Sequence, residues 1–187
     1  MQRAPGDPLR VVSIGSLSWV KNHESALIAI RHLCDAHLPV SFEILGGGPD
    51  RQWIEYTAAD LDIADCVHLG GKATSDRCRD ALRRAHVFLL SSVSEGISNA
   101  ALEAMACGLP VVTTNCGGMR EAVTDGVEGF VVPVRDLRTM AEALARLAGD
   151  EALRRRMGEA ARRRILEGFS LNNQVRAFRD LYEALAA

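Results

Sequence analysis

The sequence predicts an α/β fold, a doubly wound, Rossmann-like parallel sheet of six strands followed by C-terminal helices. Two patterns lead to this prediction. Six short segments rich in Val, Ile and Leu, most of them ending in Gly, Ser or Thr, have the composition of buried strands. Segments with helical spacing separate them, and continuous apolar strands joined by helices are typical of a parallel sheet covered on both faces.

The predicted strands all lie before residue 135. They span residues 10–15, 40–46, 66–69, 87–90, 109–113 and 129–132. Helical stripes of apolar residues follow the first strand and the last strand. The first stripe comprises Ala26, Leu27, Ile30, Leu33 and Cys34, and the second comprises Leu137, Met140, Ala141, Leu144 and Leu147. Strand and helix therefore alternate.

From Asp136 onward the sequence predicts helices only. Asp136, Asp150 and Ser170 are residue types that cap helix N-termini, which indicates three successive helices separated by Gly149 and Gly168. We expect a single domain over residues 1–187, with an α/β core at residues 10–135 and a helical tail at residues 136–187.

The last predicted helix carries a further apolar stripe. Its members are Val175, Phe178, Leu181, Tyr182 and Leu185. Such a stripe packs either on this domain or on a surface that is absent from the chain.

Composition restricts the functions that remain. The 187 residues, 48% of them hydrophobic, suffice for one well-buried core. A net charge of -2 provides no global basic field, which argues against nucleic acid as a partner. The five cysteines are dispersed and never form a Cys-x-x-Cys pair, so we expect reduced thiols in a cytoplasmic protein. The sequence has neither an apolar run of about 18 residues nor a start that resembles a secretory signal.

The loop after the fourth strand carries the strongest functional pattern. In open α/β sheets, ligands bind beyond the carboxyl ends of the strands, where helix N-termini offer free N–H groups. From residue 94 the sequence reads Ser-Glu-Gly-Ile-Ser-Asn-Ala-Ala-Leu-Glu, so Ser98 or Asn99 can cap a helix whose first turns hold Glu103. Gly96 permits close approach of a ligand, and Glu95 and Glu103 can face one pocket and accept hydrogen bonds from sugar hydroxyls. Taken singly, glutamates at a helix start are commonplace.

The residues that follow make the pattern specific. From residue 102 the sequence continues Leu-Glu-Ala-Met-Ala-Cys-Gly-Leu-Pro-Val-Val, and the whole segment resembles the signature of glycosyltransferase family 4, also called group 1. These enzymes are retaining nucleotide-sugar transferases that place two Rossmann-like domains face to face in the GT-B architecture. The chain resembles the second, donor-binding domain from about residue 10 to its last helix, and the N-terminal acceptor domain is absent from it.

The resemblance implies roles for the residues of this loop. Glu95 would be a catalytic residue that contacts the donor sugar, and Glu103 would bind the ribose hydroxyls. The loop amides would contact the sugar or the diphosphate; they belong to Gly96, Ile97, Ser98 and Asn99.

The turn after the first strand resembles the glycine-rich turn of the family. That turn typically has an Arg directly after the glycine and a Lys a few residues later, and the two cations neutralise the departing diphosphate. Gly15 opens the turn and Lys21 is in place as a second catalytic residue, but Ser16 stands at the usual Arg position. The loss of one cation should weaken donor binding or slow transfer without excluding the function. We expect His23 on the surface of the following helix.

Other segments carry weaker patterns. The resemblance places the turn at residues 46–49 and the loop Gly70-Gly71-Lys72 near the nucleotide, although both could be plain tight turns. The fingerprints of dehydrogenases and P-loop proteins are absent. A Gly-Gly segment at residues 116–121 matches one at the mouth of the interdomain cleft. The arginine runs at residues 154–156 and 162–164 indicate a solvated face or, less readily, a surface for anionic lipid.

The implied reaction is transfer of a sugar from an NDP-sugar to a saccharide or lipid acceptor, with retention and without an essential metal or other cofactor. The histidines show no clustered spacing with cysteines or carboxylates. A glycosidase with Glu95 and Glu103 as its acid and base is the alternative among enzymes, but the strand-loop-helix setting argues against it. A noncatalytic nucleotide- or sugar-binding module is the alternative outside enzymes. We expect the chain by itself to bind an NDP-sugar weakly and to transfer nothing.

Overall fold

The computed structural model describes residues 6–186 and confirms the predicted fold; residues 1–5 and 187 of the predicted domain lie outside the described part. The six strands are β1 (Leu9–Ile14), β2 (Val40–Leu45), β3 (Val67–Gly71), β4 (Val87–Leu90), β5 (Val111–Thr114) and β6 (Gly129–Val132). Neighbouring strands are parallel, and their order is β3-β2-β1-β4-β5-β6. The order reverses between β1 and β4, which is the point where such sheets open a crevice for ligands.

Eight α-helices connect and cover these strands in the described part of the chain. They are α1 (His23–Asp35), α2 (Arg51–Asp60), α3 (Ser75–Arg84), α4 (Asn99–Ala106), α5 (Met119–Ala122), α6 (Leu137–Gly149), α7 (Glu151–Gly168) and α8 (Leu171–Ala186). Two short 3₁₀ turns, Trp19–Lys21 and Ala64–Cys66, precede α1 and β3.

The central strands β4 and β5 are buried on both faces, as continuous apolar strands predict, whereas the edge strand β3 is only partly buried. On one face α1 packs on β2 and α6 packs on β5 and β6, and most of the apolar side chains of the two helices share one core layer with Phe42 and Ile44 of β2. On the other face Phe88 and Leu90 of β4 contact α4, which in turn packs on α7. All residues of β4 are buried, so the loop that follows this central strand begins from the core of the domain.

The predicted caps of the last three helices are confirmed. The carboxylate of Asp136 accepts a hydrogen bond from the Thr139 amide at 3.0 Å, and the carboxylate of Asp150 accepts one from the Leu153 amide at 2.8 Å. The hydroxyl of Ser170 accepts a hydrogen bond from the Asn173 amide at 3.2 Å. The hydrogen bonds from the Thr139 amide and hydroxyl lower the pKa of Asp136.

The two arginine runs on α7 are only partly a solvated face. The Arg154 guanidinium is buried and donates to the carbonyls of Leu147 and Ala148 in the last turn of α6. Arg162 and Arg164 donate at 2.8 Å to the carbonyls of two further residues near helix ends, Ala106 of α4 and Glu121 of α5. A cation at a helix C-terminus satisfies carbonyls that have no partner inside the helix and favours the negative end of its dipole. The expectation of a solvated face is therefore wrong for Arg154.

Helix α8 buries none of its residues. The side chains of its predicted apolar stripe are all more than half exposed, and Phe178 and Tyr182 stack on each other with ring centroids 6.5 Å apart. The stripe thus does not pack on the described part of this domain. No helix among residues 6–186 is long and apolar enough to cross a membrane.

The five cysteines are free thiols. Two of them, Cys34 at the end of α1 and Cys66 before β3, have sulfur atoms 3.9 Å apart. Burial and the neighbouring Cys34 raise the pKa of the Cys66 thiol to about 12, so this thiol stays protonated near neutral pH and is a poor nucleophile.

Candidate functional site

The carboxyl ends of β1 and β4 bring together the two residues predicted to be catalytic. The Lys21 ammonium lies 2.5 Å from a carboxylate oxygen of Glu95, and the two side chains are only 18% and 17% exposed. The residues are 74 positions apart in the chain and meet because β1 and β4 are neighbours in the sheet. The ion pair thus lies at the point where the strand order reverses.

The segment that carries Lys21 is held against the end of β4. The Ser91 hydroxyl donates to the Lys21 carbonyl at 2.8 Å, and the Val93 amide donates to the Val20 carbonyl at 2.8 Å. A Cβ at Gly15 would lie 3.2 Å from Cε of the lysine, so a larger residue there would crowd the lysine side chain. The backbone and side chain of Lys21 are therefore both positioned by their surroundings.

Three turns at this edge of the sheet pack backbone against backbone. A Cβ at Gly46, after β2, would meet the Gly15 carbonyl at 1.7 Å, so only glycine fits there. The Gly46 amide donates to the Gly71 carbonyl at 2.8 Å, and the Leu17 amide donates to the Gly47 carbonyl at 3.1 Å. The predicted residues Gly15 and Gly71 therefore belong to one continuous surface.

Two of the predicted positions differ from the expectation in detail. Gly70 and Gly71 form the last two residues of β3 rather than the loop after it. A Cβ at Gly70 would lie 2.4 Å from the Leu45 side chain and 2.9 Å from the Arg77 guanidinium, so a larger residue there would displace these side chains. Ser16 is exposed, and its hydroxyl shares a hydrogen bond with that of Ser18 at 3.1 Å.

The start of α4 leaves several backbone donors free. Ser98, and not Asn99, is the N-cap, and its hydroxyl accepts from the Ala101 amide at 3.4 Å. Within residues 6–186, the amides of Gly96, Ile97 and Asn99 donate to no protein group. Free N–H groups at a helix N-terminus are suited to hold a phosphate or another anion.

The segment after β5, residues 117–119, packs against this loop. The Gly118 amide donates to the Gly96 carbonyl at 3.1 Å, and the Ser98 amide donates to the sulfur of Met119, which is fully buried. A Cβ at Gly117 would lie 1.5 Å from the Glu95 carbonyl oxygen. The predicted Gly-Gly segment therefore fixes the loop that carries Glu95, and the role of Met119 is one that the sequence analysis missed.

Glu103 is separate from the ion pair. It is exposed, and neither a hydrogen bond nor an ion pair connects its carboxylate to any described residue. Burial is the main cause of the raised pKa of the Cys78 and Cys107 thiols, and the charge of Glu103 raises it further. The two glutamates thus differ in environment: Glu95 is paired with a cation, and Glu103 is free to accept hydrogen bonds from hydroxyl groups.

The prediction that His23 lies on a helix surface is wrong. Its side chain is only 4% exposed because the ring folds back toward β1, where Nε2 lies 3.2 Å from the Ser16 carbonyl oxygen. Burial is the largest cause of the lowered pKa of His23, and the nearby charge of Lys21 lowers it further.

A cavity of about 250 Å³ lies at the opposite end of the sheet. Its lining includes His86, Pro110 and Arg154. Ligands of open α/β sheets bind at the carboxyl ends of the strands, so we assign the candidate site to the edge with Lys21 and Glu95. Across the described residues, no group of three or more His, Cys, Asp and Glu side chains is placed to hold a metal ion.

Comparison with known proteins identifies the family of the chain. Residues 2–164 match the family described as glycosyl transferases group 1. The chain is 35% identical over 149 residues to a putative colanic acid biosynthesis glycosyltransferase of Escherichia coli, covering 76% of this chain and 37% of that protein. It is 34% identical over 184 residues to an amylovoran biosynthesis glycosyltransferase of Erwinia amylovora, covering 95% of this chain and 44% of that protein.

Solved structures share the fold. A mutant of TarM from Staphylococcus aureus, crystallised with fondaparinux, α-GlcNAc-glycerol and UDP, superposes with a TM-score of 0.86 at 22% identity, over 97% of this chain and 37% of that one. The chain thus spans less than half the length of these relatives.

Proposed function

The chain belongs to the group 1 glycosyl transferases and has the fold of the C-terminal-type domain of GT-B enzymes, and on this premise we propose that it binds the sugar donor of a retaining, family 4 transferase. The donor is a nucleotide sugar. Joined to an N-terminal Rossmann-like domain that binds the acceptor, it would transfer the sugar to a saccharide or lipid with retention of anomeric configuration.

The Lys21–Glu95 pair is the observation that carries this proposal. The carboxylate holds the lysine ammonium 2.5 Å away, and the amides in the same loop as Glu95 lack protein partners. This combination of a positioned cation and free amides supports binding of a larger anion. When a diphosphate arrives, its oxygens compete with Glu95 for the ammonium group. Glu95 is then released to accept hydrogen bonds from sugar hydroxyls.

The other predicted residues complete the proposed donor site. The amides of Gly96, Ile97 and Asn99 point to an anion at the start of α4, where the helix dipole adds to the charge of Lys21. Glu103 is available for the ribose hydroxyls because no described group engages it. Gly15, Ser16 and Gly71 form the edge along which the nucleotide would lie.

We propose that Lys21 and the loop amides stabilise the leaving diphosphate, and that the reaction needs no essential metal. Electrostatic stabilisation of a developing charge by groups already in position is the principle. The same diphosphate would help to deprotonate the acceptor on the face from which it departs, which gives retention. Ser16 contributes an amide to this site but no second cation.

A noncatalytic binding module is the second candidate function. The chain spans 37% and 44% of the two bacterial relatives, and transfer in the proposed architecture needs two domains. The chain by itself would then bind an NDP-sugar and transfer nothing.

The exposed stripe of α8 fits the proposed N-terminal partner domain. Its side chains make a contiguous apolar surface that the described residues leave uncovered, and such surfaces usually mark an interaction site. We propose a cytoplasmic location, in keeping with the free thiols, and at most peripheral attachment to the inner membrane face through the exposed arginines of α7.

Calorimetric titration of the chain with UDP, GDP, ADP and their sugars tests the proposal. We expect binding of one nucleotide class and a loss of about tenfold in affinity for Glu103→Ala, because hydrogen bonds to a charged acceptor contribute about 1.5 kcal/mol. Glu159→Ala, which removes an exposed glutamate of α7, is the matched control and should bind as the parent does. Absence of binding to every ligand, or equal affinity of Glu103→Ala and the parent, would refute the donor site.

Transfer is tested on the chain joined to an N-terminal domain. Labelled NDP-sugar and a mixture of acceptors should give an α-linked product and free NDP. Hydrolysis of a simple glycoside in the absence of nucleotide would instead support the glycosidase alternative.

A further inference from the structure

Two buried side-chain atoms in residues 6–186 have no hydrogen-bond partner, one at the start of α1 and one in the loop after β4. They are Nδ1 of His23 and Oγ of Ser92. Buried polar atoms are usually paired, so an exception calls for an explanation. In His23 the other ring nitrogen, Nε2, does have a hydrogen-bond partner.

Nε2 of His23 is a hydrogen-bond donor. Its partner, 3.2 Å away, is the carbonyl oxygen of Ser16, which can only accept. A neutral imidazole that donates from Nε2 has an unprotonated Nδ1, and this is the atom that lacks a partner. Burial is the largest cause of the lowered pKa of His23 and favours this uncharged form, as does the charge of Lys21, whereas the hydrogen bond to Ser16 and the charge of Asp50 oppose it.

This hydrogen bond fixes one edge of the peptide group that joins Ser16 to Leu17. The amide on the other edge of the same peptide donates to the Gly47 carbonyl at 3.1 Å. The preceding carbonyl, that of Gly15, faces Gly46 so closely that a Cβ there would lie 1.7 Å away. The Gly15 carbonyl, the Ser16 carbonyl and the Leu17 amide are thus all in contact with neighbouring groups. The Ser16 amide, in contrast, donates to no described protein group.

We propose that His23 is a positioning residue for the sugar-donor site, holding the Ser16 turn so that the Ser16 amide and the Lys21 ammonium face the diphosphate together. The inference rests on the proposed function. His23 begins α1 two residues after Lys21, so its contact with Ser16 connects the free amide, the lysine and the helix. It acts through the turn and does not touch the ligand.

The test compares three variants of the 187-residue chain, titrated with UDP-glucose, GDP-mannose and ADP-glucose. His23→Ala removes the hydrogen bond, and we expect affinity to fall about fivefold, as for the loss of one neutral hydrogen bond. His23→Gln places an amide N–H near the position of Nε2 and should restore affinity to within about twofold of the parent. His86→Gln is the matched control, because His86 is the other histidine that is 4% exposed and it lies at the opposite end of the sheet.

Hydrogen exchange of the Leu17 amide gives a second, local measurement. It should be faster in His23→Ala and unchanged in His23→Gln, because the peptide it belongs to is held by the histidine. Equal affinities of His23→Ala and the parent, equal losses in the Ala and Gln variants, or an equal loss in His86→Gln would overturn the proposal. Failure of the parent chain to bind any of the nucleotide sugars would overturn the proposed function itself.

Discussion

In the proposed donor site Glu95 would compete with the diphosphate for Lys21, because its carboxylate lies 2.5 Å from the ammonium group. We expect Glu95→Gln to bind a nucleoside diphosphate without sugar several-fold more tightly than the parent, since the lysine is no longer paired with a charge. The same variant should bind the corresponding NDP-sugar less tightly, because the carboxylate contact with the sugar is lost. Calorimetry with both ligands measures the two effects; shifts in the same direction would contradict competition within the pair.

His23 adds a pH dependence to stability. Its pKa is lowered in the folded protein, so the unfolded chain binds the proton more readily. The stabilisation is therefore fully present above the ordinary value of 6.5 and is lost as the pH falls below 6.5 toward the lowered pKa. Urea unfolding at pH 7.5 and pH 5.5 should show a smaller loss of stability in His23→Gln than in the parent. Equal losses would mean that other groups carry the dependence.

At the scale of elements, α7 stabilises other helices through its arginines. We expect Arg154→Met to lower the free energy of unfolding by about 2 kcal/mol, because two carbonyls at the end of α6 lose a buried, charged hydrogen-bond donor. Arg155→Met, at an exposed neighbour, should change it by less than about 0.5 kcal/mol. Urea denaturation of both variants is the measurement, and similar values for the two would contradict the capping role.

Helix α8 should be dispensable for the stability of this domain. A chain that ends at residue 170 loses no buried side chain, so its melting temperature should stay within a few degrees of the parent value. Thermal unfolding followed by circular dichroism measures this. A large drop in melting temperature would show that α8 packs on the domain in solution.

The elements themselves were largely predictable from the sequence. The positions of all six strands follow from their apolar runs, and the starts of α6, α7 and α8 follow from their capping residues. Small displacements have local reasons. β5 begins at Val111 rather than at residue 109, because Pro110 has no N–H to donate to a neighbouring strand.

The missed features depend on contacts between distant residues. The burial of His23 requires the Ser16 carbonyl to face α1, and no periodicity encodes that. The arginines of α7 read as a solvated face because the carbonyls they bind belong to other helices, up to 56 positions away. The Lys21–Glu95 contact could be anticipated only through the resemblance to a family, since spacing alone does not specify how two loops meet.

At the scale of the whole molecule, the free amides, the ion pair and the three glycine turns all lie on one edge of the sheet. The apolar face of α8 and this open edge are both surfaces that the described residues leave uncovered. Both surfaces are available to the proposed N-terminal domain; the two bacterial relatives are more than twice as long as the segment that matches this chain.

The most direct test of the donor site is a set of amide NMR spectra of the chain recorded with UDP, GDP and ADP. We expect one nucleotide to shift the amide signals at the carboxyl ends of β1 and β4, those of Ser16, Lys21, Gly96, Ile97 and Asn99 above all. The signals around His86 and Arg154, at the opposite end of the sheet, should stay unchanged. Shifts confined to that opposite end, or none with any of the three nucleotides, would contradict the site proposed for this chain.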